Sequence, residues 1–234
     1  MEKRISRREF LKTTATTGAI LSMAPNIALA QEQKPIQLLT PQPGGGSPLM
    51  QLLWRRKSSR EFSPKPLPIE VLSNLLWASF GINRPDGKRT APSAWNCQDI
   101  DIYVILPDGL YVYDAKASQL KLILAEDLRG LAGTQAYVKE APVNLIYVSD
   151  YAKLGGKIPD QVKIFYGSTS LIDQLSGAHA GFISENVYLC CASEGLATVV
   201  RANIDMPALS KVMKLRPDQK IVLAQSVGYP KKGN

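Results

Sequence analysis

The chain is poor in the residues that most often carry chemistry unaided. It has one histidine, His179, in 234 residues. That excludes a multi-histidine metal centre and leaves any Ser-His or Cys-His pair a single imidazole to use. The three cysteines, Cys97, Cys190 and Cys191, form no CxxC pair and cannot build a disulfide framework. Adjacent cysteines in one helix point in different directions, so all three read as small buried hydrophobes. His179, in Ser-Gly-Ala-His-Ala-Gly-Phe, has no ligand set or nucleophile partner legible in the sequence and reads as a packed or capping residue. No uninterrupted apolar run reaches the roughly 18 residues of a membrane span. No internal repeat is visible. What remains is 45% hydrophobic and 21% charged, the composition of a globular protein long enough for one domain with a real core.

The N-terminal stretch explains part of the positive charge. Residues 1–30 have a basic head, a weakly apolar middle from Thr13 to Leu29, and Ala-Leu-Ala before Gln31, the three parts of an export signal. Ser6-Arg7-Arg8-Glu9-Phe10-Leu11-Lys12 matches the twin-arginine export consensus, so the expected partner here is the twin-arginine machinery and the expected location is periplasmic or otherwise extracytoplasmic. Without residues 1–30 the chain carries 23 basic and 18 acidic side chains, net +5 instead of +8. In an exported protein so modest an excess argues against nucleic acid as a partner and leaves anionic small molecules or acidic surfaces.

Residues 31–47, ending in Thr-Pro-Gln-Pro-Gly-Gly-Gly-Ser, read as a flexible leader, and residues 48–234 as the folded domain. Helical apolar spacing begins at Pro48 and ends in Arg55 and Arg56, cations that suit a helix C-terminus. A second helix starts near Pro68, presents Val71, Leu72, Leu75, Leu76 and Phe80 on one face, and stops at Gly81. After a polar loop over 83–96, two β-rich runs joined by Pro107-Asp108-Gly109 predict a hairpin. A buried strand is predicted at 141–150, a long helix at about 168–194, a strand from Ala197, a short helix from Met206 and a last strand from Gln219. Strands and helices mix without βαβ alternation, which predicts an α+β layer fold.

The cluster Trp54-Arg55-Arg56-Lys57-Ser58-Ser59-Arg60-Glu61-Phe62 is the candidate site. In an extended segment Arg56, Ser58 and Arg60 project to one side and Lys57 and Ser59 to the other. Two guanidiniums flanking a hydroxyl suit a phosphate, because arginine offers a planar fork of donors.

Four elements in order resemble the nitroreductase family of flavin oxidoreductases. They are Arg56-x-Ser58-x-Arg60-x-Phe62, then Pro92-Ser93-Ala94-Trp95-Asn96-Cys97-Gln98, the helix end Glu185-Asn186 to Glu194-Gly195-Leu196-Ala197, and the closing Gly228-Tyr229-Pro230-Lys231-Lys232. The resemblance spans about 50–232, and the hairpin beginning Gly109-Leu110-Tyr111 is similar to the thiazole/oxazole dehydrogenase branch. Trp95 and Cys97 depart from the residues more common in the family. The resemblance implies a mixed, largely antiparallel sheet flanked by helices, and a homodimer with shared FMN sites. It implies that Arg56, Lys57, Ser58, Lys231 and Lys232 hold the FMN phosphate and that Arg60 lies near the flavin N1–O2 edge as an electrostatic tuner. It also implies that the backbone of Val200, Arg201 and Ala202 faces N5, and that Pro92, Ser93, Ala94 and Asn96 reach the flavin of the other subunit. The activity implied is an oxidoreductase that passes a hydride through N5 between an unspecified donor and a small organic acceptor. A flavin- or aromatic-binding module without turnover, on the same fold, is the alternative.

Overall fold

Alternating burial along the strands sets up a two-faced sheet. The structure, a computed structural model of the full chain, describes residues 34–42, 44–162 and 168–231. The signal-like residues 1–30 and Lys232 lie outside the described residues. Seven strands are present: β1 (Ile36–Gln37), β2 (Ile100–Leu106), β3 (Gly109–Asp114), β4 (Gln119–Leu124), β5 (Val143–Asp150), β6 (Ala197–Arg201) and β7 (Gln219–Gly228). They join in the order β1-β4-β3-β2-β5-β7-β6, and all of the pairings are antiparallel. On β5 the period of two is explicit: Leu145 and Tyr147 join one core, Ile146 and Val148 the other. All eight residues of this central strand are buried, so both faces of the sheet are covered.

The described helices are α1 (Leu49–Arg55), α2 (Ile69–Phe80), α3 (Ala136–Glu140), α4 (Tyr151–Gly155), α5 (Ser168–Glu194) and α6 (Met206–Val212). The face of α2 expected from its spacing is the buried one: Leu72, Leu75, Leu76 and Phe80 pack with Ala180, Ile183, Val187 and Cys191 of α5 over the sheet. Burying each such leucine or isoleucine contributes about 1.5–3 kcal/mol. Gly81 is the C-cap of α2, in extended conformation with its N–H donating to Trp77 O, and a Cβ there would stand 2.4 Å from Trp77 Cδ1, so the position takes glycine. Gly195, at φ +67°, ends α5 in the left-handed region where glycine carries no steric cost. The second face is covered by α6, whose Leu209 joins Met213, Ile105 and Ala224. Asp205 caps α6 by accepting from the Ala208 N–H at 3.1 Å.

Three features differ from the sequence reading. The leader is not wholly free of the fold: Ile36 and Gln37 pair with Leu120 and Gln119, and Leu38 is buried. The strand β4 that receives them, Gln-Leu-Lys-Leu-Ile-Leu, is too short and too mixed to stand out, and only the hairpin from β3 makes it a strand. Helix α1 forms as expected but buries none of its residues.

Candidate active site

The basic cluster follows α1 with no regular secondary structure and lies along the open edge of β6. Its position is set by backbone bonds. The Ser59 N–H donates to Thr198 O at 2.9 Å, the Ser63 N–H to Tyr229 O at 2.8 Å, and Phe62 bridges to Pro230. The basic segment is thereby clasped between the edge strand and the C-terminal tail. Gly228 is required at that clasp, because a Cβ on it would meet Pro142 Cδ at 2.5 Å.

A cavity of about 550 Å³ opens at this place, lined by Lys57, Ser58, Ser59, Arg60, Tyr188, Thr198 and Lys231 among others. That volume lies within the range of small-molecule sites. Among the described residues, no hydrogen bond or ion pair engages the side chains of Lys57, Arg60 or Lys231. Lysine and arginine side chains without ion pairs of their own, with two serine hydroxyls between them, give this wall a basic character suited to an anion, with Glu61 the one acidic residue lining it among those described.

The cluster does not alternate as an extended strand would. Lys57 and Ser59 face the same cavity as Ser58 and Arg60, whereas Arg56 is not among its lining residues. Arg56 caps the C-terminus of α1, its N–H donating to Leu52 O at 2.8 Å, and its guanidinium lies over the Tyr188 ring, 5.3 Å from the centroid. The cap turns the chain and starts a wrapping segment in place of a strand. The cations that line the cavity are therefore Arg55, Lys57, Arg60 and Lys231, and Arg56 stands behind them on Tyr188.

Tyr188, on α5, is absent from the sequence reading. Its Oη accepts from the Val200 N–H at 3.0 Å and shares a hydrogen bond with Ser58 Oγ at 2.8 Å. The Val200 amide expected to face a flavin N5 is thus already engaged, by a hydroxyl that also bonds Ser58 of the cavity wall. Arg201 turns its side chain away into the protein. It is buried, and its guanidinium donates to Ser226 Oγ, the Ala132 carbonyl and Asn144 Oδ1. Burial pulls its pKa down to about 10, and none of its three hydrogen-bond partners is a carboxylate that would offset the loss of solvent.

The second motif lies elsewhere in the chain. None of Pro92, Ser93, Ala94 and Asn96 lines the basic cavity. This loop instead packs on α5 at His179, nine residues before Tyr188 and so about 13 Å along the helix. Trp95, Asn96 and Gln98 all have positive φ, at 50°, 52° and 48°. Left-handed non-glycine residues each cost roughly 1–3 kcal/mol, so the surrounding bonds must hold the loop. The Gln98 N–H donates to Ser93 Oγ at 3.0 Å, Arg89 Nε donates to Gln98 Oε1 at 2.8 Å, and the Ala94 N–H donates to His179 Nε2 at 2.9 Å. Ser93 and the Ala94 amide are spent inside the chain, which leaves Trp95 and Asn96 exposed.

His179 also has neighbours that the sequence did not disclose. Its Nδ1 is 2.6 Å from Asp99 Oδ1, which also accepts from Cys97 Sγ at 3.1 Å, while Asp99 Oδ2 accepts from Ser149 Oγ at 2.9 Å. The capping role holds; the apparent isolation does not. Cys97, Asp99 and His179 place ligand-type atoms within 4.8 Å of one another, all buried. The tautomer speaks against a metal. Nε2 accepts from an amide, so the imidazole proton must sit on Nδ1, facing Asp99. Burial works to raise the pKa of Asp99, but the hydrogen bonds from His179, Cys97 and Ser149 outweigh it and hold the carboxyl below its ordinary range. Burial, helped by Asp99, pushes the Cys97 thiol up to about 11, so it remains a neutral donor.

The fold and site together describe an α+β protein with a basic cavity at the edge of a seven-stranded antiparallel sheet. The nitroreductase family model matches residues 53–229, and the chain belongs to that family. A Methanocaldococcus jannaschii protein named as a nitroreductase is 30% identical over 161 residues, 64% of this chain and 76% of that one. A crystal structure from Ralstonia eutropha, also described as a nitroreductase, is 40% identical with a TM-score of 0.76, over 86% of this chain and 91% of the other. The NADPH:FMN oxidoreductase of Vibrio harveyi, solved with NAD+, shares the fold at 18% identity and a TM-score of 0.56, over 79% of this chain and 69% of that one.

Proposed function

We propose that this chain is an FMN-dependent oxidoreductase that works as a homodimer after export by the twin-arginine route. Family membership supports oxidoreductase chemistry, and the observation that carries the cofactor is the basic cavity. Three unpartnered cations (Lys57, Arg60 and Lys231) and two hydroxyls converge there, beside Arg55 and a single carboxylate, Glu61, on a space of about 550 Å³, a donor set that fits a phosphate on a larger ligand. Bound there, FMN supplies hydride acceptance and donation at N5. Lys57, Ser58, Ser59 and Lys231 hold the phosphate end. Arg60 provides a positive charge that favours the more negative, reduced state of a nearby ring. Tyr188 fixes Ser58 and the edge of β6 relative to one another. Nothing in this cavity comes from the Pro92–Gln98 loop, which accords with a site completed by a second copy. The apolar residues left on α1 favour the same assembly: Leu49, Met50, Leu53 and Trp54 are exposed, Trp54 by 91%.

The purified protein is expected to be yellow, with the two absorption bands of a flavin, and to release FMN on denaturation. A colourless preparation that also fails to take up added FMN would sink this reading. Flavin that is bleached by dithionite but by no organic or quinol donor would identify the binding module without turnover.

A further inference from the structure

We propose that His179 is a positioning residue for the site: with Nδ1 bonded to Asp99 and Nε2 to the Ala94 amide, it holds the loop 93–98, left-handed at Trp95, Asn96 and Gln98, in the conformation that presents Trp95 and Asn96 to the flavin of a second copy. This rests on the FMN reading above. The support comes from a chain of buried bonds. Ser176 of α5 shares a hydrogen bond with Ser149 of β5 at 2.8 Å, and Ser149 donates to Asp99 at 2.9 Å. Asp99 is further tied by its carbonyl, which accepts from the Asp150 N–H at 2.9 Å. Asp99, Ser149, Ser176 and His179 are all at most 2% exposed, so water does not compete for their partners. Asp99 receives three donors, and it accordingly orients the imidazole with its free Nε2 lone pair aimed at the loop.

The loop needs such an anchor, because three of its residues sit at positive φ without being glycine. Its far end is braced independently, with Gln98 Nε2 donating to Gly87 O at 3.0 Å and to Asn96 Oδ1 at 3.1 Å. Between the two anchors Trp95 is 44% exposed. A large planar side chain held outward on a pinned loop suits stacking against a flat aromatic ligand, and it works only if the loop does not relax.

The test uses the full chain and splits the two bonds of the imidazole. His179→Gln places an amide oxygen near the Nε2 position and keeps an acceptor for Ala94. His179→Asn places an amide nitrogen near Nδ1 and keeps only the Asp99 bond. Two quantities are measured: hydrogen exchange at the Ala94 amide without flavin, and FMN affinity by titration. His179→Asn is expected to exchange Ala94 at least tenfold faster and to bind FMN roughly tenfold more weakly, as loss of one buried hydrogen bond implies. His179→Gln is expected to stay near the parent in both. Ser149→Ala, which loosens Asp99 and leaves the imidazole intact, is expected to move Ala94 exchange in the same direction by less. Unchanged Ala94 exchange in His179→Asn and Ser149→Ala, or a Gln variant no better than the Asn variant, overturns the assignment. The exchange measurement needs no flavin. A parent that binds no FMN therefore defeats the functional reading alone, and a parent that binds FMN beside variants with unchanged exchange defeats the loop assignment alone.

Discussion

Tyr188 connects residues that lie far apart in sequence: Ser58, 130 positions away, through its hydroxyl, the Val200 amide through the same oxygen, and Arg56 through the face of its ring. A phenol can do this because its oxygen both donates and accepts while its ring offers a negative face to a cation. The arrangement separates the roles of the arginines. Arg56 is stacked on Tyr188 behind the cavity, whereas Arg60 lines it. Lys57→Ala is therefore expected to weaken FMN binding by about 1.5–3 kcal/mol, the worth of a hydrogen bond to a charged group. Arg60→Ala is expected to lower the flavin reduction potential more than it lowers affinity for oxidised FMN, since a cation favours the reduced, more negative ring. Paired measurements of affinity and potential on both variants check this. Equal affinity losses with unchanged potentials would mean that both side chains only hold phosphate.

At the scale of elements, the site is a clasp between the segment after α1, the edge strand β6 and the tail after β7. Gly228 is the tightest point, with Pro142 Cδ 2.5 Å and Phe62 Cδ1 3.4 Å from where a Cβ would stand. Gly228→Ala is expected to destabilise the chain by about 1–3 kcal/mol, the usual cost of forcing one methyl into a packed place, and to loosen the tail that carries Lys231. Thermal unfolding together with FMN affinity measures both effects. An unchanged melting temperature would show that the clasp can move aside. The strand β6 has the other edge problem, unpaired backbone groups, and solves it without a partner strand: the Ser59 N–H donates to Thr198 O, and Tyr188 Oη takes the Val200 N–H.

For the whole molecule, two expectations follow from the proposed assembly and export. If Trp95 and Asn96 complete the cavity of a second copy, FMN content should fall together with dimer on dilution, because neither half-site alone encloses the ring. Sedimentation with simultaneous detection at a flavin wavelength tests this, and a monomer that keeps one FMN per chain would refute the shared site. Changing Arg7 and Arg8 together to lysine should leave the protein in the cytoplasm, since the twin-arginine route reads the guanidinium pair and not charge alone. Cell fractionation decides it, and equal export of the double variant would remove the assignment.

Much of this protein was legible in its sequence where the signal is local. The apolar period of α2, the punctuation by Pro68 and Gly81, the Pro107-Asp108-Gly109 turn and the 27-residue α5 all follow from rules that act within a few residues. The four ordered motifs pointed to the family for the same reason: each is a short stretch of chain. Only the tertiary structure decided which of those residues meet. It moved Arg56 behind the cavity, sent the Arg201 side chain into the core, and joined the lone histidine to Asp99, 80 positions away. Those outcomes depend on how α5 lies across the sheet. That packing is set by buried area summed over many side chains, and it leaves no mark at any one position of the sequence.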